Sequence, residues 1–128
     1  MPILQQFSLP DSLDDLNVPE GTESGFFIAF LASEDPATRN PWCPDVVAAL
    51  PVLKKTFSAE STPVVAFVEV GQKPEWRDPN NVFRIKWNIN SVPTLARYEK
   101  VGGKMQEVGR LVEGEILDDV RLQKLGAS

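Results

Sequence analysis

Two nearly unbroken apolar runs dominate the chain, Gly25-Phe26-Phe27-Ile28-Ala29-Phe30-Leu31-Ala32 and Pro63-Val64-Val65-Ala66-Phe67-Val68-Glu69-Val70. Runs of this length, rich in aromatic and β-branched residues, predict strands covered on both faces of a sheet. Between them Val46, Leu50, Leu53 and Phe57 recur at helical spacing. That spacing predicts a helix from Asp45 to Phe57 with these residues toward the sheet. Pro51 lies inside it and is expected to kink it, because proline lacks the N–H that the helix needs. Upstream, residues 2 to 7 mix apolar and polar positions as an edge strand would. Ser8 to Ser12 is a turn leading into a short helix, with Asp11 or Ser12 as cap and Leu13 and Leu16 on one face. Pro19 to Thr22 is a loop.

Downstream, Gly71 to Pro74 turns the chain. Asp78-Pro79-Asn80-Asn81 predicts a cap at Asp78 with proline at the first helical position. A short helix would then run to about Trp87, with Val82, Phe83 and Trp87 inward. Ser91 to Tyr98 is a strand opened by Pro93, and Gly102-Gly103 is a hairpin signal between it and a strand from Lys104 to Leu111. Glu115 to Leu125 predicts a last helix with Ile116, Leu117, Val120 and Leu125 as its apolar face and Gly126 as its stop. The order is strand, helix, strand, helix, strand, helix, strand, strand, helix. The early β-α-β part should be parallel and the Gly-Gly hairpin antiparallel, giving an α/β mixed sheet with helices on both faces. The length suits one domain over residues 1–128.

Charge and composition narrow the function. A formal net charge of -5 argues against nucleic acid or an anionic membrane as the main partner. No apolar run reaches membrane-spanning length, and the start lacks the basic and long apolar regions of a secretory signal. The chain has 1 cysteine and no histidine. No internal disulfide can form, and a reducing, cytoplasmic compartment is expected. A Cys-His nucleophile or a His-ligated metal site is excluded within one chain. No cofactor and no metal are implied.

The candidate chemistry lies at Pro41-Trp42-Cys43-Pro44-Asp45-Val46. Cys43 falls where the loop after the first apolar run enters the predicted helix, with Pro44 at the first helical position. Helix N-terminal N–H groups and the positive end of the helix dipole favour a thiolate at such a junction. Asp45 is a first-turn acid that the same dipole favours, and its charge opposes the dipole's effect on the thiol. Ser33 to Pro41 is a polar loop beside the thiol that would shape access to it.

Four stretches carry a family resemblance. They are Trp42-Cys43-Pro44-Asp45, the long segment from Val70 to Arg84 that includes Lys73-Pro74-Glu75-Trp76 and Asp78-Pro79-Asn80-Asn81, the loop Val92-Pro93-Thr94-Leu95, and the extended loop before Trp42. Together they resemble the 14-kDa thioredoxin-related proteins with a Trp-Cys-Pro-Asp-Cys motif, and the element order is that of the thioredoxin fold. The resemblance covers Gly25 to Tyr98. It implies that Cys43 is the attacking thiol and that Trp42 and Pro44 shape the surface around it. It further implies that Pro93 is cis and that Val92 offers backbone groups to an extended substrate segment. Two departures follow from the same comparison. Val46 stands where the family has its second cysteine, and Ala29 lies near a position where thioredoxins keep a buried carboxylate.

A dithiol reductase attacks a disulfide with one thiol and resolves the mixed disulfide with the other. With Cys43 alone the first step remains and the second needs an outside thiol. The expected function is therefore thioredoxin-like thiol–disulfide exchange through a single cysteine. Its partners would be disulfide-containing proteins or small disulfides, with glutathione or a thioredoxin reductase as electron source. Two other readings stand beside it. One is a redox-inactive binding module that keeps the groove by the proline loop. The other is a substrate-trapping variant of a dithiol reductase, should Val46 be an introduced change.

Overall fold

The computed structural model describes residues 3–19, 21–22, 25–59 and 63–127. Its centre is a five-stranded sheet of order β1-β3-β2-β4-β5, formed by β1 (Ile3–Leu4), β2 (Phe26–Leu31), β3 (Val64–Glu69), β4 (Thr94–Val101) and β5 (Lys104–Val112). All six residues of β2 are buried, which is why its sequence shows no alternation. β2 pairs parallel with β3, with Phe27 opposite Val65, and antiparallel with β4, with Ile28 opposite Ala96. The short β1 adds to β3 in parallel at the sheet edge, covering only Ile3 and Leu4 of the expected residues 2 to 7, of which residue 2 lies outside the described residues. The β4–β5 hairpin turns at Gly102 and Gly103, whose φ values of 60 and 85 are the left-handed pair that such a tight turn requires.

The main helix, α1, runs from Pro44 to Thr56 with Val46, Ala49 and Leu53 buried against the sheet. Phe57, just beyond, packs its ring against Phe27 at a centroid distance of 5.3 Å. Pro51 sits in α1 on the exposed side and the helix continues through it. Its missing N–H falls where water can serve the freed carbonyl.

Three expectations need correction. The segment after β3 is helical earlier than its turn residues suggest, forming α2 (Lys73–Arg77). The Glu75 carboxylate accepts from the Gln72 N–H at 2.8 Å, which satisfies one donor at the helix start. Asp78 consequently ends α2 and does not cap the next helix. The cap of α3 (Val82–Ile85) is Asn81, whose side-chain oxygen accepts from the Phe83 N–H at 2.9 Å while its amide donates to the Glu75 carbonyl at 3.0 Å. Finally, the last predicted helix is two elements, a 3-10 turn over Glu113–Leu117 and α4 over Asp119–Ala127. The break turns Leu117 and Val120 outward, to 49% and 75% exposure, and Leu122 takes the buried position.

The N-terminal 3-10 turn (Leu13–Asp15) lies against β5 and is followed by the buried Leu16. Trp87 Nε1 ties this segment down by donating to the Pro10 carbonyl at 3.1 Å. Among the described residues no helix is long and apolar enough to cross a membrane.

Candidate functional site

Cys43 is the N-cap of α1, with extended backbone (φ -101, ψ 120) and Pro44 in the first turn. Its carbonyl accepts from the Val46 and Val47 N–H groups at 3.0 and 3.2 Å and so starts the helix. The residue is half-buried, and its Sγ lies 3.7 Å from the Val92 carbonyl oxygen, toward which the thiol hydrogen donates. Val92 and Pro93 are buried, and the peptide bond between them is cis, as the resemblance implies. Residues separated by 49 positions in sequence thus meet at one seam.

The rest of the predicted motif divides cleanly. Pro44 and Asp45 are exposed on the first turn beside the thiol. Val46, one helical turn from Cys43, is 0% exposed and part of the core. Trp42 is half-buried beside Cys43, and its indole Nε1 donates to the Gly71 carbonyl at 2.9 Å. Trp76, in contrast, is a packing residue: it is buried, and the Arg84 guanidinium lies over its ring at 3.9 Å while also donating to its carbonyl.

Sequence reasoning missed the residues that hold these groups in place. The polar loop between β2 and α1 is not loosely solvated. Ser33 and Gly71 exchange two hydrogen bonds, Gln72 Nε2 donates to the Glu34 carbonyl at 2.7 Å, and Glu34 bridges to Pro41. The loop is thereby pinned to the turn after β3. On the opposite flank the Glu113 N–H donates to the Pro93 carbonyl at 2.8 Å. Glu113 has φ 50, an unusual conformation for a residue with a side chain. No local sequence pattern marks Ser33 or Glu113. Gly71 is the one visible hint, since its φ of 106 favours glycine.

Among the described residues no group of three or more Cys, Asp or Glu side chains is placed to hold a metal ion. The chemistry available at the seam is that of one thiol, flanked by an exposed acid and an indole, beside a backbone carbonyl.

Comparisons with known proteins agree on the fold and the family. A family model described as thioredoxin domain-containing protein 17-like, thioredoxin domain, matches residues 11–120. A thioredoxin domain-containing protein of Schizosaccharomyces pombe is 37% identical over 116 residues, covering 91% of this chain and 94% of the relative. Thioredoxin domain-containing protein 17 of Homo sapiens is 40% identical over 92 residues, covering 71% of this chain and 68% of the relative. Among solved structures, Trichomonas vaginalis thioredoxin aligns over 96% of both chains with a TM-score of 0.60 and 17% sequence identity. That likeness shows the thioredoxin fold.

Proposed function

The chain belongs to the thioredoxin domain-containing protein 17-like family, and from that membership we propose that it carries out thiol–disulfide exchange through Cys43 alone. The observation that carries this reading is the half-exposed Cys43 thiol at the start of α1, 3.7 Å from the carbonyl that precedes Pro93. In the first step the Cys43 sulfur, as thiolate, attacks one sulfur of a substrate disulfide. A Cys43–substrate S–S bond forms, the substrate's own S–S bond breaks, and the other half leaves as a thiolate. Val46 supplies no second sulfur, so the mixed disulfide is resolved by an outside thiol such as glutathione. That thiolate attacks the substrate sulfur and releases Cys43, and the new disulfide carries away the oxidising equivalent. Trp42, Pro44 and Asp45 form the rim that a substrate meets, and Val92 lends its backbone to an extended segment lying along the seam. The proposed setting is cytoplasmic.

A second reading is favoured by the burial of Val46 in the helix face where a resolving thiol would sit. In it the seam binds extended peptides without turnover. A glutathione-coupled assay on cystine separates the two. The exchanger turns over many equivalents of disulfide per chain, and loses this with Cys43→Ser. A binding module shows none with either chain.

A further inference from the structure

All three polar groups of one buried serine converge on Gly71 and Trp42. Ser33 follows β2 closely and is 9% exposed. Its N–H donates to the Gly71 carbonyl at 3.3 Å, and its Oγ accepts from the Gly71 N–H at 3.0 Å. Its carbonyl accepts from the Trp42 N–H at 3.3 Å. The Gly71 carbonyl also takes the Trp42 indole Nε1–H, at 2.9 Å. These four bonds close a ring through Ser33, Gly71 and Trp42. Gly71 itself has little freedom to be replaced: φ is 106, and a Cβ there would lie 3.0 Å from the Glu75 Cβ. The Ser33 hydroxyl anchors the Gly71 backbone through its N–H, while the Ser33 N–H donates to the same Gly71 carbonyl that accepts the Trp42 indole.

We propose that Ser33 is a positioning residue for exchange at Cys43, acting through Gly71 to fix the Trp42 indole beside the thiol. The inference rests on Cys43 being the exchanging thiol. A peptide disulfide must pack on the surface next to Cys43 before its sulfur is in line for attack, and the Trp42 ring is part of that surface. A small alkylating reagent needs no such docking. Ser33 should therefore matter for peptide disulfides and not for alkylation.

The test compares the full chain with Ser33→Ala, Trp42→Phe, the double variant and Ser33→Thr. The probe is a symmetrical disulfide of a short cysteine-containing peptide, with mixed-disulfide formation followed by intact mass and iodoacetamide alkylation measured in parallel. Losing one hydrogen bond from the ring should slow peptide exchange about three- to tenfold in Ser33→Ala, with alkylation held within about twofold. Ser33→Thr, which keeps the hydroxyl, should retain the faster exchange. In the Trp42→Phe background, which lacks the Nε1–H, Ser33→Ala should add no further loss. Unchanged exchange in Ser33→Ala, equal slowing of alkylation, or multiplying effects in the double variant would each overturn the proposal. If Ser33→Ala does not fold, unchanged exchange in Trp42→Phe overturns it instead. Absence of any mixed disulfide on the unmodified chain removes the reading of Cys43 itself, a different failure from one seen only in the variants.

Discussion

The Cys43 sulfur lies 3.7 Å from the carbonyl oxygen of Val92, so the start of α1 and the loop before β4 share one surface seam. The other residues of the motif take their meaning from that contact. Asp45 flanks it in solvent, and Val46 is buried in the core one helical turn on.

Restoring a sulfur at position 46 should change how the mixed disulfide is resolved. Val46→Cys places a second thiol one helical turn from Cys43, within reach of it. On oxidation this variant should lose two hydrogens by intact mass and form an internal disulfide. A half-cystine adduct, expected to persist on the unmodified chain without glutathione, should not accumulate. Replacing a fully buried valine with the smaller cysteine should cost about 1 kcal/mol in urea denaturation.

Arg97 ties the last helix to the sheet. Its guanidinium is buried, donating to the Leu125 and Gly126 carbonyls at 2.9 and 3.1 Å and to Glu99 at 3.1 Å. Cationic donors at a helix C-terminus satisfy carbonyls that have no partner within the helix. Arg97→Met should destabilise the chain by about 2–4 kcal/mol, because it strips those carbonyls and leaves Glu99 without this partner. Alkylation of Cys43 in the folded variant should be unchanged.

The only tyrosine gives a pH signature. Burial raises the Tyr98 phenol well above the usual range, the nearby Glu107 carboxylate adds to this, and Arg110 opposes it. The folded state then holds a proton that the unfolded chain gives up from about pH 10. Stability from this group is fully present below that pH and falls by about 1.4 kcal/mol per pH unit above it, until the folded phenol also ionises. Tyr98→Phe should remove that part of the alkaline decline. At neutral pH it should match the parent within about 1 kcal/mol, since the buried hydroxyl has no hydrogen-bond partner among the described residues. Urea unfolding of both chains at pH 8 and pH 11 measures the difference.

The corrected C-terminal face can be tested directly. Leu122→Ala should cost about 2–4 kcal/mol, as for other buried leucines. Val120→Ala should stay within about 0.5 kcal/mol, because its side chain faces solvent. Reversed magnitudes would restore the continuous helix expected from the sequence.

Much of the fold was legible because its largest signals are local. The β2 and β3 runs, the α1 face, the Gly102-Gly103 turn and the Cys43 cap each follow from residues close together in the chain. The errors occurred where two local signals compete. Asp78 and Asn81 are both good caps, and only the contact of Asn81 with the Glu75 carbonyl shows which one is used. At the C-terminus, Ile116, Leu117 and Val120 fit helical spacing, but the 3-10 turn over Glu113–Leu117 rotates the face. The site was legible as a motif and not as a constellation. Cys43 and Trp42 are visible in sequence, whereas Ser33 and Gly71 reach Trp42, and Glu113 reaches Pro93, through hydrogen bonds between distant positions that no local pattern marks.

The most direct measurement of the central claim is time-resolved intact mass after mixing the unmodified chain with cystine, followed by glutathione. The account predicts one half-cystine adduct per chain, located on Cys43, that persists until glutathione is added and then disappears with recovery of the free thiol. Absence of the adduct, or an adduct that glutathione leaves in place, would contradict single-thiol exchange at Cys43.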